Sequence, residues 1–205
     1  VSAGFDVVFV GIETPNEESL AECTKGQNQH RDLVASVKKL QQSGLEVQGG
    51  FIVGFDSDPE SIFQAQIDFI QRSGIVTAMV GLLNAPTGTR LYKRLREEGR
   101  LLTSFTGNNT DFSLNFIPKM DPQKLVTGYR QILDTIYSPK EYYQRIKTFL
   151  QVYKPTRTKP GKIQSHQIKA FFRSIWFLGI RGGQGRKHYW KLFVTYLATS
   201  PPKFA

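Results

Sequence analysis

The chain has 205 residues, 40% of them hydrophobic and 12% aromatic, enough for one core of ordinary size and a small second one, which argues against intrinsic disorder. A single cysteine, Cys23, excludes a disulfide framework and any zinc or iron-sulfur site whose thiolates all come from this chain. The net charge of +10 is uneven: no Asp or Glu follows Glu141, so residues 142–205 carry 13 Lys or Arg unopposed, while the remaining 14 face all 17 acids.

No apolar run reaches the roughly 18 to 20 residues of a membrane span, and Val1 opens onto a strand-like segment with no charged-then-apolar leader. A cytoplasmic protein is expected. The absence of an initiator Met adds the expectation that the chain is a piece of a longer one.

Three short apolar segments read as strands, Val7–Ile12, Val47–Gly54 and Ala78–Leu83. Their continuous rather than alternating hydrophobicity predicts parallel strands covered on both faces. Thr14-Pro15-Asn16-Glu17 reads as a capping box with Pro at the first helical position, followed by a second helix over 28–42 that stops at Gly44. Ser57-Asp58-Pro59-Glu60 repeats the capping pattern before a helix ending near Gly74, and Leu91 begins a charged helix ending at Gly99. Strand starts about 30 to 40 residues apart are the spacing of βα units joined by helical crossovers. The fold class expected is α/β, a partial (β/α) barrel of three parallel units over 1–102. A polar connection over 103–120 leads to an all-α extension over 121–205. In the extension, Asp121-Pro122 and Ser138-Pro139-Lys140-Glu141 start helices, 154–162 is a basic linker, and two helices over 164–178 and 187–198 flank a turn at Gly182–Gly185.

Ligands of parallel α/β folds bind at the carboxyl ends of the strands. Glu13 there is either a hydrogen-bond acceptor for a ribose or an amine, or a solvated loop acid. Gly50 and Gly54 flank Ile52 and bare the strand edge, for a flat ring or for a bulge. The exit through Asn84-Ala85-Pro86 suits an exposed backbone and equally an ordinary turn. His30, His166 and His188 have no metal-ligand spacing, and the Gly182–Lys187 run follows a helix, unlike a phosphate-binding loop.

Together, VFVGIETPNEESL, GGFIVGFDSDPESIF and LLNAPTGTRLYKRL resemble the fourth to sixth strands of radical S-adenosylmethionine (SAM) enzymes, in the class with an N-terminal cobalamin-binding domain. The stretch NFIPKMDPQKLVTGYRQILDTIYSPKEYYQRI resembles the helical extension of one branch of that class, some of whose members act on hopanoid and other lipid or secondary metabolites. The resemblance implies a radical modification or methylation of a small apolar, lipid-like metabolite. SAM would be held through Glu13, through Gly50, Ile52 and Gly54 on the adenine-contacting strand, and through Leu83, Asn84 and Ala85. Asp56 lies near the family's acid after that strand, at a different spacing. A CxxxCxxC loop binding a 4Fe-4S cluster, and a cobalamin domain, would belong to a missing N-terminal half of the same protein. No residue of this chain is then a metal ligand or does the catalytic step, and the isolated chain is expected to be inactive. The 103–120 connection is expected to add to the substrate pocket.

The basic tail leaves three readings. Ile168, Phe171, Phe172, Ile175, Trp176 and Leu178 form an apolar face with Lys169, Arg173 and Arg181 around it, and Tyr189, Trp190, Phe193 and Tyr196 follow. A helical cap on the barrel, a membrane-surface helix and, least favoured, a nucleic-acid surface all fit. The contrasting class is a non-enzymatic α/β binding module with a tail that docks on membrane or RNA.

Overall fold

A computed structural model describes residues 4–102, 113–155 and 165–199. Strands β1 (Val7–Glu13), β2 (Glu46–Val53) and β3 (Ala78–Leu82) form one parallel sheet in the order β1-β2-β3, with Val8 beside Val47 and Gly49 beside Ala78. Between them run α1 (Glu17–Glu22), a 3-10 turn (Gly26–Asn28), α2 (Leu33–Gln42) and α3 (Ile62–Ser73), and α4 (Arg90–Glu97) follows β3. The later part is helical: α5 (Pro122–Ile136), α6 (Pro139–Val152), α7 (Ser165–Ser174) and α8 (Arg186–Thr199), with a π-helical turn (Ile175–Ile180) and a 3-10 turn (Gly183–Gly185) between the last two. The fold class is α/β with C-terminal helices, as the strand spacing predicts. Among the described residues no helix is long and apolar enough to cross a membrane.

The helices form where local chemistry starts them. Asp32, Thr89, Asp121 and Ser138 each accept a hydrogen bond from a first-turn backbone N–H of α2, α4, α5 and α6. Three expected starts differ. Asn16, not Thr14, caps α1, so Pro15 lies before the helix, and Thr14 Oγ1 instead accepts from the Asn16 N–H. Asn28, read as the start of the second helix, instead ends a separate 3-10 turn, and α2 begins only after Asp32. Ser57 does not cap α3, which begins after Ser61: the Ser57 N–H donates to Glu22, and the Asp58 carboxylate turns back to accept from Gly54 N, Phe55 N and Ser19 Oγ, fixing the loop after β2. Gly74 ends α3 with φ +71°, where a Cβ would also stand 3.0 Å from the Phe149 nitrogen of α6.

One face of the sheet is covered. Val47, Phe51, Val53, Val80 and Leu82 pack there against α3 and against Leu125, Tyr129, Ile132 and Ile136 of α5, so α5 belongs to the same core as the strands. The Tyr129 and Tyr137 hydroxyls donate to the Val80 and Ala78 carbonyls of β3. The expectation of two covered faces fails on the other side, where Val7, Phe9 and Met79 are exposed and a Cβ at Gly81 would meet nothing. A second cluster of Phe55, Leu83, Ala85, Leu95 and Phe116 closes the carboxyl end of the sheet.

Candidate functional site

At the carboxyl ends of β1 to β3 a cleft of about 510 Å³ is lined by Glu13, Lys25, Ile52, Leu83 and Leu91, with Glu22 and Arg94 at one side. The sequence of β1 builds its first wall. The strand bulges between Gly11 and Glu13, Glu13 takes φ +67°, and its carboxylate reaches Lys25 Nζ at 3.0 Å. A left-handed backbone at a non-glycine residue costs energy, so its placement at a strand end beside a cleft is worth functional attention. The Gly11 and Ile12 carbonyls at the bulge accept from Asn28 Nδ2, each at 3.3 Å, and Ile12 also from the Thr14 N–H.

β2 supplies the floor. Ile52 is half-buried and its carbonyl accepts from the Nε2 of fully buried Gln66 at 2.7 Å, which holds the strand end still. Gly54 continues at φ +110°, a conformation L side chains rarely adopt, and turns the chain toward Asp58. Burial pushes the Asp58 carboxyl above its ordinary value despite its three donors. Gly50 lies on the open face, its absent Cβ leaving 2.9 Å to the Phe9 ring.

The third wall comes from β3 and the chain after α4. Leu83 lines the cleft, whereas Ala85 is fully buried and exchanges two hydrogen bonds with the Asn115 amide, at 2.9 and 2.8 Å. Asn84 in turn accepts from the Asn115 backbone N–H and donates to the Leu82 and Ser113 carbonyls. Of the seven residues the resemblance singles out, Glu13, Ile52 and Leu83 therefore share the cleft. Gly50 and Gly54 shape the strand that carries Ile52, and Asn84 and Ala85 fasten the returning chain. Of the 103–120 connection, 103–112 lies outside the described residues, and the remainder pairs with this wall through Phe116 and Leu101.

Asp56 sits in an ion cluster. Both its oxygens meet Arg100, at 2.6 and 2.8 Å, and Arg94 reaches it at 3.1 Å while also holding Glu22 at 2.9 Å. Hydrogen bonding from Arg100, ahead of burial, holds the Asp56 carboxyl below its ordinary value. Sequence reading missed Lys25, Asn28 and Asn115, whose roles arise from contacts between separated segments and carry no motif.

A zwitterionic, partly aromatic ligand such as SAM fits this cleft: Ile52, Phe55, Leu83 and Leu91 offer apolar walls, and Glu13, Lys25 and Arg94 offer both charges. An iron-sulfur cluster does not fit this chain, whose single thiol, Cys23, is pushed up by burial. No group of three metal-ligating side chains occurs among the described residues.

Residues 89–205 match the family described as a domain of unknown function, DUF4070. The chain belongs to this family. DUF4070 is the C-terminal domain of cobalamin-dependent radical SAM methylases, which agrees with the resemblance carried by the strands and extension. An uncharacterized methyltransferase of Synechocystis is 33% identical over 207 residues, covering all of this chain and 38% of the relative. The hopanoid C-2 methylase of Rhodopseudomonas palustris is 29% identical over 92% of this chain and 36% of its own length. The bacteriochlorophyllide d C-12(1)-methyltransferase of Chlorobaculum tepidum is 28% identical over 71% and 32%. The chain thus spans about a third of the length of these relatives.

Proposed function

We infer that this chain is the C-terminal part of a radical SAM methylase acting on a small apolar, lipid-like metabolite. The observation that carries the reading is the cleft at the carboxyl edge of the parallel strands, in a DUF4070 chain whose relatives include methylases of a hopanoid and of a bacteriochlorophyllide. SAM with a 4Fe-4S cluster would supply the radical chemistry and cobalamin would carry the methyl group, the cluster and the cobalamin being held by the rest of the protein. This chain's share is positioning. Glu13 accepts hydrogen bonds from the polar part of SAM, with Lys25 fixing its carboxylate. Ile52 and Leu83 press on the adenine, and Gly50 and Gly54 let the strand approach it. Asn84 and Ala85 keep the third wall in place. The apolar substrate would lie over the bare sheet face, where Phe9 and Met79 stand exposed.

In the full-length enzyme, Glu13→Ala should weaken SAM binding about tenfold or more, the loss of a charge-assisted hydrogen bond worth roughly 1.5–3 kcal/mol. Equilibrium dialysis reads this directly, and an unchanged affinity removes Glu13 from the site. Produced alone and reconstituted anaerobically with iron and sulfide, the 205-residue chain should bind no cluster and cleave no SAM. A stoichiometric iron-sulfur chromophore on it would overturn that division of labour.

A further inference from the structure

We propose that the helical hairpin of α7, the π-helical turn and α8 is a docking surface for a bilayer carrying anionic phospholipid. α8 is the hairpin's attachment to the body: His188 stacks on Tyr143 of α6 at 6.1 Å, and Tyr196 donates to the Lys147 carbonyl. α7 and the π-helical turn are held from α8, by the Ser174–Tyr189 hydroxyl pair at 3.1 Å and by Trp190 Nε1 donating to the Gly179 carbonyl at 2.8 Å. α7 buries none of its residues. Phe172, Trp176, Phe177, Leu178, Ile180 and Val194 are each 48–63% exposed. The first five lie within nine residues on one arm of the hairpin and Val194 is on the other, so exposed apolar surface is concentrated on this element. Apolar surface concentrated in this way marks an interaction site, whereas scattered single residues do not.

Charge selects the occupant. Lys169, Arg173, Arg181, Arg186, Lys187 and Lys191 are exposed on the same hairpin. No acid follows Glu141, and the ion pairs found among the described residues all lie between residues 13 and 141. Arg173 lies 6.0 Å over the Phe177 ring, so cation and apolar residue are interleaved. An apolar ridge with cations and no anions is the complement of a bilayer surface, where acyl chains take the ridge and phosphates the cations. Single-stranded RNA could stack on Phe172, Trp176 and Phe177 but would leave Leu178, Ile180 and Val194 exposed, whereas acyl chains cover all six. The proposal stands apart from the methylase reading and neither requires the other.

The test is co-sedimentation of the full-length protein with vesicles of phosphatidylcholine alone and with about a third phosphatidylglycerol. Binding should appear only with the anionic lipid and fall about tenfold or more between low and high salt, as screening of exposed charges requires. Phe172→Glu with Phe177→Glu, and separately Lys169→Glu with Arg173→Glu, should each weaken it at least tenfold while SAM affinity stays unchanged. The emission of Trp176, isolated by subtracting the Trp176→Phe spectrum, should shift to the blue on adding vesicles and lose its quenching by acrylamide. Absence of binding to the anionic vesicles overturns the proposal. So does Trp176 shielded from acrylamide before lipid is added, which would place another part of the protein or a protein partner on the ridge. Retention of polyuridylate in place of vesicles would assign the cations to RNA and overturn it as well.

Discussion

Asp56 and Asp58 stand two residues apart in one loop, and their surroundings push them in opposite directions. Asp56 is held charged by Arg100 and Arg94, so its folded carboxyl loses its proton more readily than in the unfolded chain. Its stabilisation is present above the ordinary carboxylate range near pH 4 and is lost as pH falls through the lowered folded value. Asp58 is raised by burial, so between its ordinary and its folded value the folded state keeps a proton the unfolded state has released. Stability therefore declines there as pH rises. Asp56→Asn should cost roughly 1–3 kcal/mol at neutral pH, since two arginines lose a charged acceptor, and should flatten the acid limb below about pH 4. Asp58→Asn should remove the shallow decline just above that pH instead. Urea melts between pH 3 and 7 separate the two, and identical profiles for wild type and Asp56→Asn would refute the role given to the arginine clasp.

At the scale of elements, α6 is fastened to the α/β layer by a buried side chain, Arg145, beside the hydrogen bonds from Gln71 to Glu141. The Arg145 guanidinium donates to Gln71 Oε1, the Ile136 carbonyl and the Val76 carbonyl at 2.9, 2.7 and 3.1 Å, and lies 5.6 and 5.4 Å over the rings of Tyr137 and Tyr142. Burial pulls its pKa down, yet these acceptors and rings replace the lost water. Arg145→Met fills similar space but strands two carbonyls, so a loss of about 2–4 kcal/mol in denaturant melts is expected, and a loss under about 1 kcal/mol would make the residue dispensable. Arg145 also shows what the sequence left hidden. The helical periodicity of Leu125, Tyr129, Ile132 and Ile136 announced a buried face of α5, because burial repeats every turn. Nothing local distinguishes Arg145 from a solvated arginine, since its partners lie 9 to 74 residues away. The same holds for Asn115 gripping Ala85 and for Lys25 facing Glu13. The Ser57–Glu60 capping pattern misled for the reverse reason: it is local, whereas Ser57 is tied to Glu22 and Asp58 to the bare N–H groups of Gly54 and Phe55, so the helix begins only after Ser61. The stretch 164–178, read as one helix, becomes α7 and then a wider turn, with Arg181 N bonding back five residues to the Trp176 carbonyl at 2.9 Å. Composition could not show this, because the packing of Gly179 against Trp190 and Tyr189 is a contact between separated segments across the hairpin.

Across the whole molecule, the two faces of the sheet differ in kind. The face toward α3 and α5 has buried apolar side chains and donors for the strand carbonyls. The opposite face presents Phe9 at 56% and Met79 at 62% exposure, beside the uncovered Gly81. Parallel strands are ordinarily covered on both sides, and the continuous apolar run of β3 reflects that rule in its composition rather than in this chain's own contacts. If the rest of the longer protein curls the sheet into a barrel, Met79 becomes an interior residue. A charge placed there would then be buried without a partner, at a cost well above that of a surface change. Met79→Glu should accordingly lower the melting temperature of the full-length protein by several degrees or leave it insoluble. In the isolated 205-residue chain, where Met79 faces water, the same substitution should stay within about 0.5 kcal/mol of the parent. Equal effects in both would mean that the open face stays open in the longer protein, and the substrate would then have to be sought in the cleft at the strand ends, between Glu13 and Leu91.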